Sequence, residues 1–115
     1  MISSLGCLFQ TNITGTIGTN SSSKQWRENL EGEFSQVPPS LLGGKKLAIQ
    51  LEFWISKDRL TGNRLDCDNL AKPVLDSMKK AGIIYDDSEI YYLQVSKHAT
   101  SDEEHIELIA WEWTC

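Results

Sequence analysis

Between residues 45 and 56 the apolar side chains Leu47, Ile49, Leu51, Phe53 and Ile55 alternate with a set that includes Ala48, Gln50 and Glu52. Strand side chains point to opposite faces with a period of two, so this spacing predicts a half-buried strand with one face sealed in a core. Gly43 and Gly44 open it. At 115 residues the chain has the size of one domain, able to bury one modest core around a single sheet.

Other elements follow from the same periodicities. Residues 5–13 are apolar and β-prone and predict a strand, followed by a loop containing Gly15, Gly18 and Asn20. Trp26, Leu30 and Phe34 recur every four residues, which predicts an amphipathic helix over 24–34 with Ser23 as N-cap and Pro38 and Pro39 as its stop. Residues 57–64 are polar and basic, contain Gly62, and read as a loop. A second helix is predicted over 70–81, with Val74, Leu75 and Met78 on one face, Asp68 or Asn69 as N-cap, and Gly82 as its stop. Pro73 suits such a helix only if it starts late, where a missing N–H costs little. After an apolar step, residues 83–85, come an acidic turn at Asp86 and Asp87 and strands near 90–98 and 106–113. No internal repeat is visible. The expected fold is α/β in the α+β sense: a single compact domain, residues 1–115, with a central, mainly antiparallel or mixed β-sheet and two α-helices.

A hydrophobic fraction of 40%, a charged fraction of 23% and four Trp describe a chain that folds rather than a disordered one. No apolar run approaches the roughly 18 residues that span a bilayer, and the N-terminus lacks signal-peptide order, so a cytoplasmic protein with no membrane association is expected. Cys7, Cys67 and Cys115 are far apart and form no CxxC pair, which suggests neither a disulfide framework nor a zinc site.

The net charge is −5, opposite to what phosphate neutralisation by Lys and Arg normally requires. Its distribution is uneven. Residues 45–80 carry eight cations against five acids, a balance of +3, whereas from residue 81 onward Lys97 alone opposes eight acids, a balance of −7.

The densest chemistry lies in Asp66-Cys67-Asp68-Asn69-Leu70-Ala71-Lys72 and, one helix later, in Asp86-Asp87-Ser88-Glu89-Ile90. In an extended segment Asp66 and Asp68, two residues apart, project to the same side. Two carboxylates so close repel unless exposed, protonated or bridged by a cation. Oxygen-only ligation favours Mg²⁺, with Mn²⁺ as a substitute, held by few carboxylates so that waters and substrate phosphate oxygens complete the shell. Such an ion suits phosphodiester hydrolysis, by activating water and neutralising phosphate charge. Lys72, four residues after Asp68, would reach the same pocket and face the phosphoryl oxygens. A helix packed on the sheet would return the Asp86 and Asp87 turn to that pocket.

The pattern Asp-x-Asp-Asn-x-x-Lys, a helix bearing Asp76, then Asp-Asp-x-x-Ile resembles the RusA-type Holliday junction resolvases over about residues 63–97. The resemblance implies catalytic metal ligands at Asp66, Asp68 and Asp87 and an essential lysine at Lys72; Asp86, beside Asp87, is a further candidate ligand. It also implies a compact α/β homodimer that cuts four-way DNA junctions in pairs with Mg²⁺, in recombination, repair or phage DNA processing. The family's Pro-rich, basic opening is replaced here by the stretch 16–23. Lys24, Arg27, Lys57, Arg59 and Arg64 are the cations nominated for the DNA backbone. The rival readings are a flap, general DNA or RNA nuclease using the same acids, and a non-catalytic protein that binds junctions or a protein partner.

Plainer roles are expected elsewhere. His98 and His105 read as surface or satisfied strand residues, Trp111 and Trp113 as core or dimer interface, and residues 102–104 as a solvated turn. Asp86 alone is also compatible with a turn cap, and Lys72 with Asp76 is also compatible with an exposed helical ion pair.

Overall fold

The computed structural model describes residues 7–19, 23–38, 41–61 and 65–114. The expectations placed on residues 5, 6, 20–22, 39, 62–64 and 115, Arg64 and Cys115 among them, lie outside the described residues. In chain order come strand β1 (Cys7–Thr14), helix α1 (Lys24–Phe34), strand β2 (Leu47–Ser56), helix α2 (Cys67–Lys80), a single 3₁₀ turn (Asp87–Glu89), strand β3 (Ile90–Thr100) and strand β4 (His105–Glu112). The sheet runs β1-β4-β2-β3: β4 is antiparallel to both β1 and β2, and β3 is parallel to β2. This is the expected α+β domain with a mixed sheet and two helices.

The alternation in β2 decides how the layers stack. Leu47, Ile49, Leu51, Phe53 and Ile55 are fully buried and join Trp26, Leu30 and Phe34 of α1 and Leu70, Val74 and Met78 of α2 in one core. Both helices therefore cover the same face. On the opposite face Gln50, Glu52 and Trp54 are half-buried, and Glu52 receives His98 Nε2 at 2.6 Å and Ser96 Oγ at 3.1 Å. His98 also stacks on Trp54, with ring centroids 4.4 Å apart. It is a satisfied strand residue, as expected. Trp111 is buried on that face, and Trp113 stacks on Tyr92 at 5.6 Å.

Helix α2 starts three residues earlier than its sequence pattern suggests. Asp66 is the N-cap, with Leu70 N–H donating to its carbonyl at 2.9 Å, and Pro73 lies inside the helix, buried, rather than in its first turn. A proline there removes one helical hydrogen bond, and burial of its ring against the core offsets that cost. The far end matches the expectation. Gly82 adopts φ 80°, its N–H donates to Lys79 O at 3.0 Å, and Ile83 N–H donates to Met78 O at 3.1 Å, a Schellman closure that a residue with a side chain would strain.

The turn at residues 102–104 also differs. Asp102 and Glu103 are exposed, but Glu104 is buried and accepts from Ile17 N at 3.1 Å, Ser56 N at 2.8 Å and the Arg59 guanidinium. One carboxylate thus clasps the segment after β1, the end of β2 and the β3–β4 turn. Nothing local in the sequence signals it, because its partners lie 45 to 87 residues away.

Phe53 sits at the centre of this core, paired with Ile106 on β4 and Lys97 on β3. Phe53→Ala is expected to cost about 3–5 kcal/mol, read as a fall in the denaturant midpoint with an unchanged slope.

Candidate active site

The parallel pairing of β2 with β3 forces the chain to cross over between them, and α2 is that crossover. Both acidic segments flank it. Asp66 and Asp68 lie at its start, and Asp86 and Asp87 lie in the turn that follows it. Between α2 and β3 runs an open groove of ≈ 520 Å³, lined by Asp68, Lys72 and Asp76 along the helix, by Leu93 and Val95 on the strand, and by Asp87. Asp68, Lys72 and Asp87 line this one groove.

They do not meet at a point. Asp68 is on the first turn of α2, whereas Asp87 lies beside its last turn, its Oδ2 3.7 Å from Lys79 Nζ. Lys79 lies eleven positions beyond Asp68 in the helix, about 16 Å at 1.5 Å per residue. Among the described residues no three Asp, Glu, His or Cys side chains are gathered closely enough to hold a metal ion. Because the helix begins at Cys67, Asp68 is helical and Asp66 extended, so strand-like alternation does not bring their side chains together. Asp66 precedes the lining residue Cys67 and does not itself line the groove.

The donors at the start of α2 are nonetheless uncommitted. Asp66 makes no side-chain capping bond, and neither Asp66 nor Asp68 has an ion pair with another described residue. Both are exposed. Asp68 gains from the positive end of the helix dipole. Free, exposed carboxylates of this kind suit a hydrated Mg²⁺ that takes most of its oxygens from water and phosphate, and do not suit an ion caged by protein alone. Lys72, also exposed, forms no ion pair with Asp76 among the described residues. Both residues also line a second groove of ≈ 370 Å³ between the helices, which Arg27, Glu31 and Lys80 share.

Asp86 has another task. Its carboxylate accepts Ser88 N–H at 3.2 Å and its own N–H faces Glu89, a reciprocal capping box. Hydrogen bonds from Ser88 hold its pKa below the ordinary carboxylate value. Glu89, not among the expected site residues, fastens the turn. It accepts Tyr85 N at 2.8 Å and Gly44 N at 2.7 Å. Burial pushes its pKa up, but the backbone N–H groups of Tyr85, Gly44 and Asp86 outweigh this and hold it below the ordinary value. The glycine pair gives the turn its seat: a Cβ on Gly43 would lie 2.5 Å from the Tyr85 ring, and Gly44 has φ 81°.

Of the nominated DNA contacts, Lys24 and Lys57 are exposed, and Arg27 lines the groove between the helices. Arg59 is engaged, donating through its guanidinium to Glu104 and, at 2.8 Å, to Ile17 O. No described helix is long and apolar enough to cross a membrane.

The model of the family described as endodeoxyribonuclease RusA matches residues 9–109. No curated protein matches the chain.

Since Asp86 and Glu89 have folded pKa values below their ordinary 3.8 and 4.5, the stability they contribute is present above that range and lost as pH falls through the lower folded values. Glu89→Gln is expected to cost on the order of 1 kcal/mol at neutral pH, less than a fully buried charged bond, because the group lies near the surface. It should also lose less stability than the wild type on acidification, as followed by thermal unfolding across the acid range.

Proposed function

Because the chain belongs to the RusA endodeoxyribonuclease family, we propose that it is a Mg²⁺-dependent, structure-selective endonuclease that resolves four-way DNA junctions. The observation that carries the reading is the uncommitted Asp66 and Asp68 at the start of α2, with Lys72 one turn on and Asp87 along the same groove. Such an enzyme would act as a homodimer, one subunit per nick, in the cytoplasm, during recombination, repair or phage DNA processing.

Asp66 and Asp68 are assigned as the principal metal ligands, and Asp87 as the third acid facing the groove. When bound, Mg²⁺, or Mn²⁺ in its place, supplies charge neutralisation at the scissile phosphate and acidifies water. Lys72 would set its ammonium against a phosphoryl oxygen, opposing the charge that grows there as water attacks. The α2 N-terminus adds its dipole on the same side. The new water–phosphorus bond forms as the bond to the 3′ oxygen breaks, and a proton passes to that oxygen, leaving a 5′-phosphate and a 3′-hydroxyl. Lys24, Arg27 and Lys57 would contact the flanking backbone, with Arg64 a further nominee.

One observation favours a second reading, a non-catalytic junction-binding protein: the three acids are not gathered. Cleavage of a labelled four-way junction beside duplex and flap controls separates the two. Paired nicks on the junction, abolished by EDTA and reduced about 10²-fold or more by Asp68→Asn, are expected. Equal cutting of the controls would indicate a general nuclease, and binding without cutting would indicate the second reading.

A further inference from the structure

On β3 the residues facing the helices are Leu93, Val95, Lys97 and Ala99, paired with Ile49, Leu51, Phe53 and Ile55 of β2. Three of the four are apolar. The fourth places an ammonium on the core side of the sheet beside fully buried Phe53, where desolvation of a charge is costly unless hydrogen bonds replace its water. Lys97 is half-buried, and its Nζ donates to Leu65 O at 2.9 Å and to Leu60 O at 3.2 Å. A leucine at this position would suit the core without that cost.

The location of the accepted carbonyls gives the charge a purpose. Leu65 C=O belongs to the same peptide unit as the Asp66 N–H. On the other side of Asp66, its own C=O accepts Leu70 N–H at 2.9 Å. The peptide units on both sides of Asp66 are therefore held, one by Lys97 and one by the first bond of α2, which fixes the backbone at φ −76° and ψ 151°. With its side chain making no cap, Asp66 takes its direction from that backbone. The same anchor sets where α2 begins and so where Asp68 stands.

We propose that Lys97 is a positioning residue, whose ammonium fixes the peptide before Asp66 and thereby sets the start of α2, from which Asp68 is presented to a divalent cation in the groove. The inference rests on the metal-site reading above. Its structural half, the tether, can be tested apart from that reading.

The test compares wild type with Lys97→Met, which keeps the apolar stem and removes the donor, and with Lys97→Arg, which keeps charge and donors. Amide exchange at Leu70, whose N–H makes the first bond of α2, and at the amides that follow it in the helix reports the tether, and calorimetric Mn²⁺ titration reports the aim. Lys97→Met is expected to accelerate exchange at those amides and to weaken Mn²⁺ binding about tenfold or more, the usual effect of losing a group behind a ligand. Lys97→Arg should move both readouts back toward wild type, and junction binding in EDTA should be the same in all three. If Lys97→Met does not fold, Lys97→Gln is read by the same criteria. Wild-type exchange in the folded variant would overturn the tether, and accelerated exchange with unchanged Mn²⁺ affinity would overturn the positioning role. If wild-type Mn²⁺ binding proves insensitive to Asp68→Asn, the metal-site reading fails and the positioning role with it, while amide exchange still decides the tether.

Discussion

The parallel pairing of β2 with β3 is the constraint on which the candidate site depends. Antiparallel neighbours can be joined by a tight turn, but parallel ones need a crossover that leaves one end of the sheet and returns to the other. Here the crossover is α2, packed through Leu70, Val74 and Met78 on the helix-bearing face. Its two junctions hold the acidic motifs, and the space between its flank and the edge strand β3 is the groove. If β3 ran the other way, the chain would have no need of α2 between the two acidic segments.

Apolar packing alone would leave those junctions loose, since they are polar segments between regular elements. Lys97 and Glu89 tie them to the framework through backbone groups, and Glu104 secures the end of β2 and, through the Arg59 guanidinium, the segment that follows it. Glu104 holds Ile17 N–H and Ser56 N–H, Glu89 holds Tyr85 N–H and Gly44 N–H, and Lys97 holds Leu60 C=O and Leu65 C=O. The net charge of −5 is thus partly structural. Glu104 and Glu89 are engaged in holding the fold, and Arg59, a cation expected to face DNA, is engaged by Glu104.

Features governed by neighbours in the chain were legible in the sequence. The alternation from Leu47 to Ile55, the four-residue spacing of Trp26, Leu30 and Phe34, and the stop at Gly82 all depend on local geometry, and the structure has them at those places. The start of α2 was not legible, because Pro73 argues locally for a late start while tertiary burial of its ring permits an early one. That shift also undid the strand-like alternation of Asp66 and Asp68. The acidic motif itself could be read because its residues are close in sequence. Glu104, Glu89 and Lys97 could not, since each acts on backbone groups whose proximity only the fold creates.

The central claim is that the start of α2 presents carboxylates to a cation whose coordination is completed by the DNA. Mn²⁺ titration followed by electron paramagnetic resonance, on the protein alone and on the protein saturated with a four-way junction at low temperature, tests it most directly. Weak binding alone that tightens with the junction, with the tightening lost in Asp68→Asn, is the result expected of an open, carboxylate-poor site. Tight binding without DNA, or tightening that survives Asp68→Asn, would contradict it.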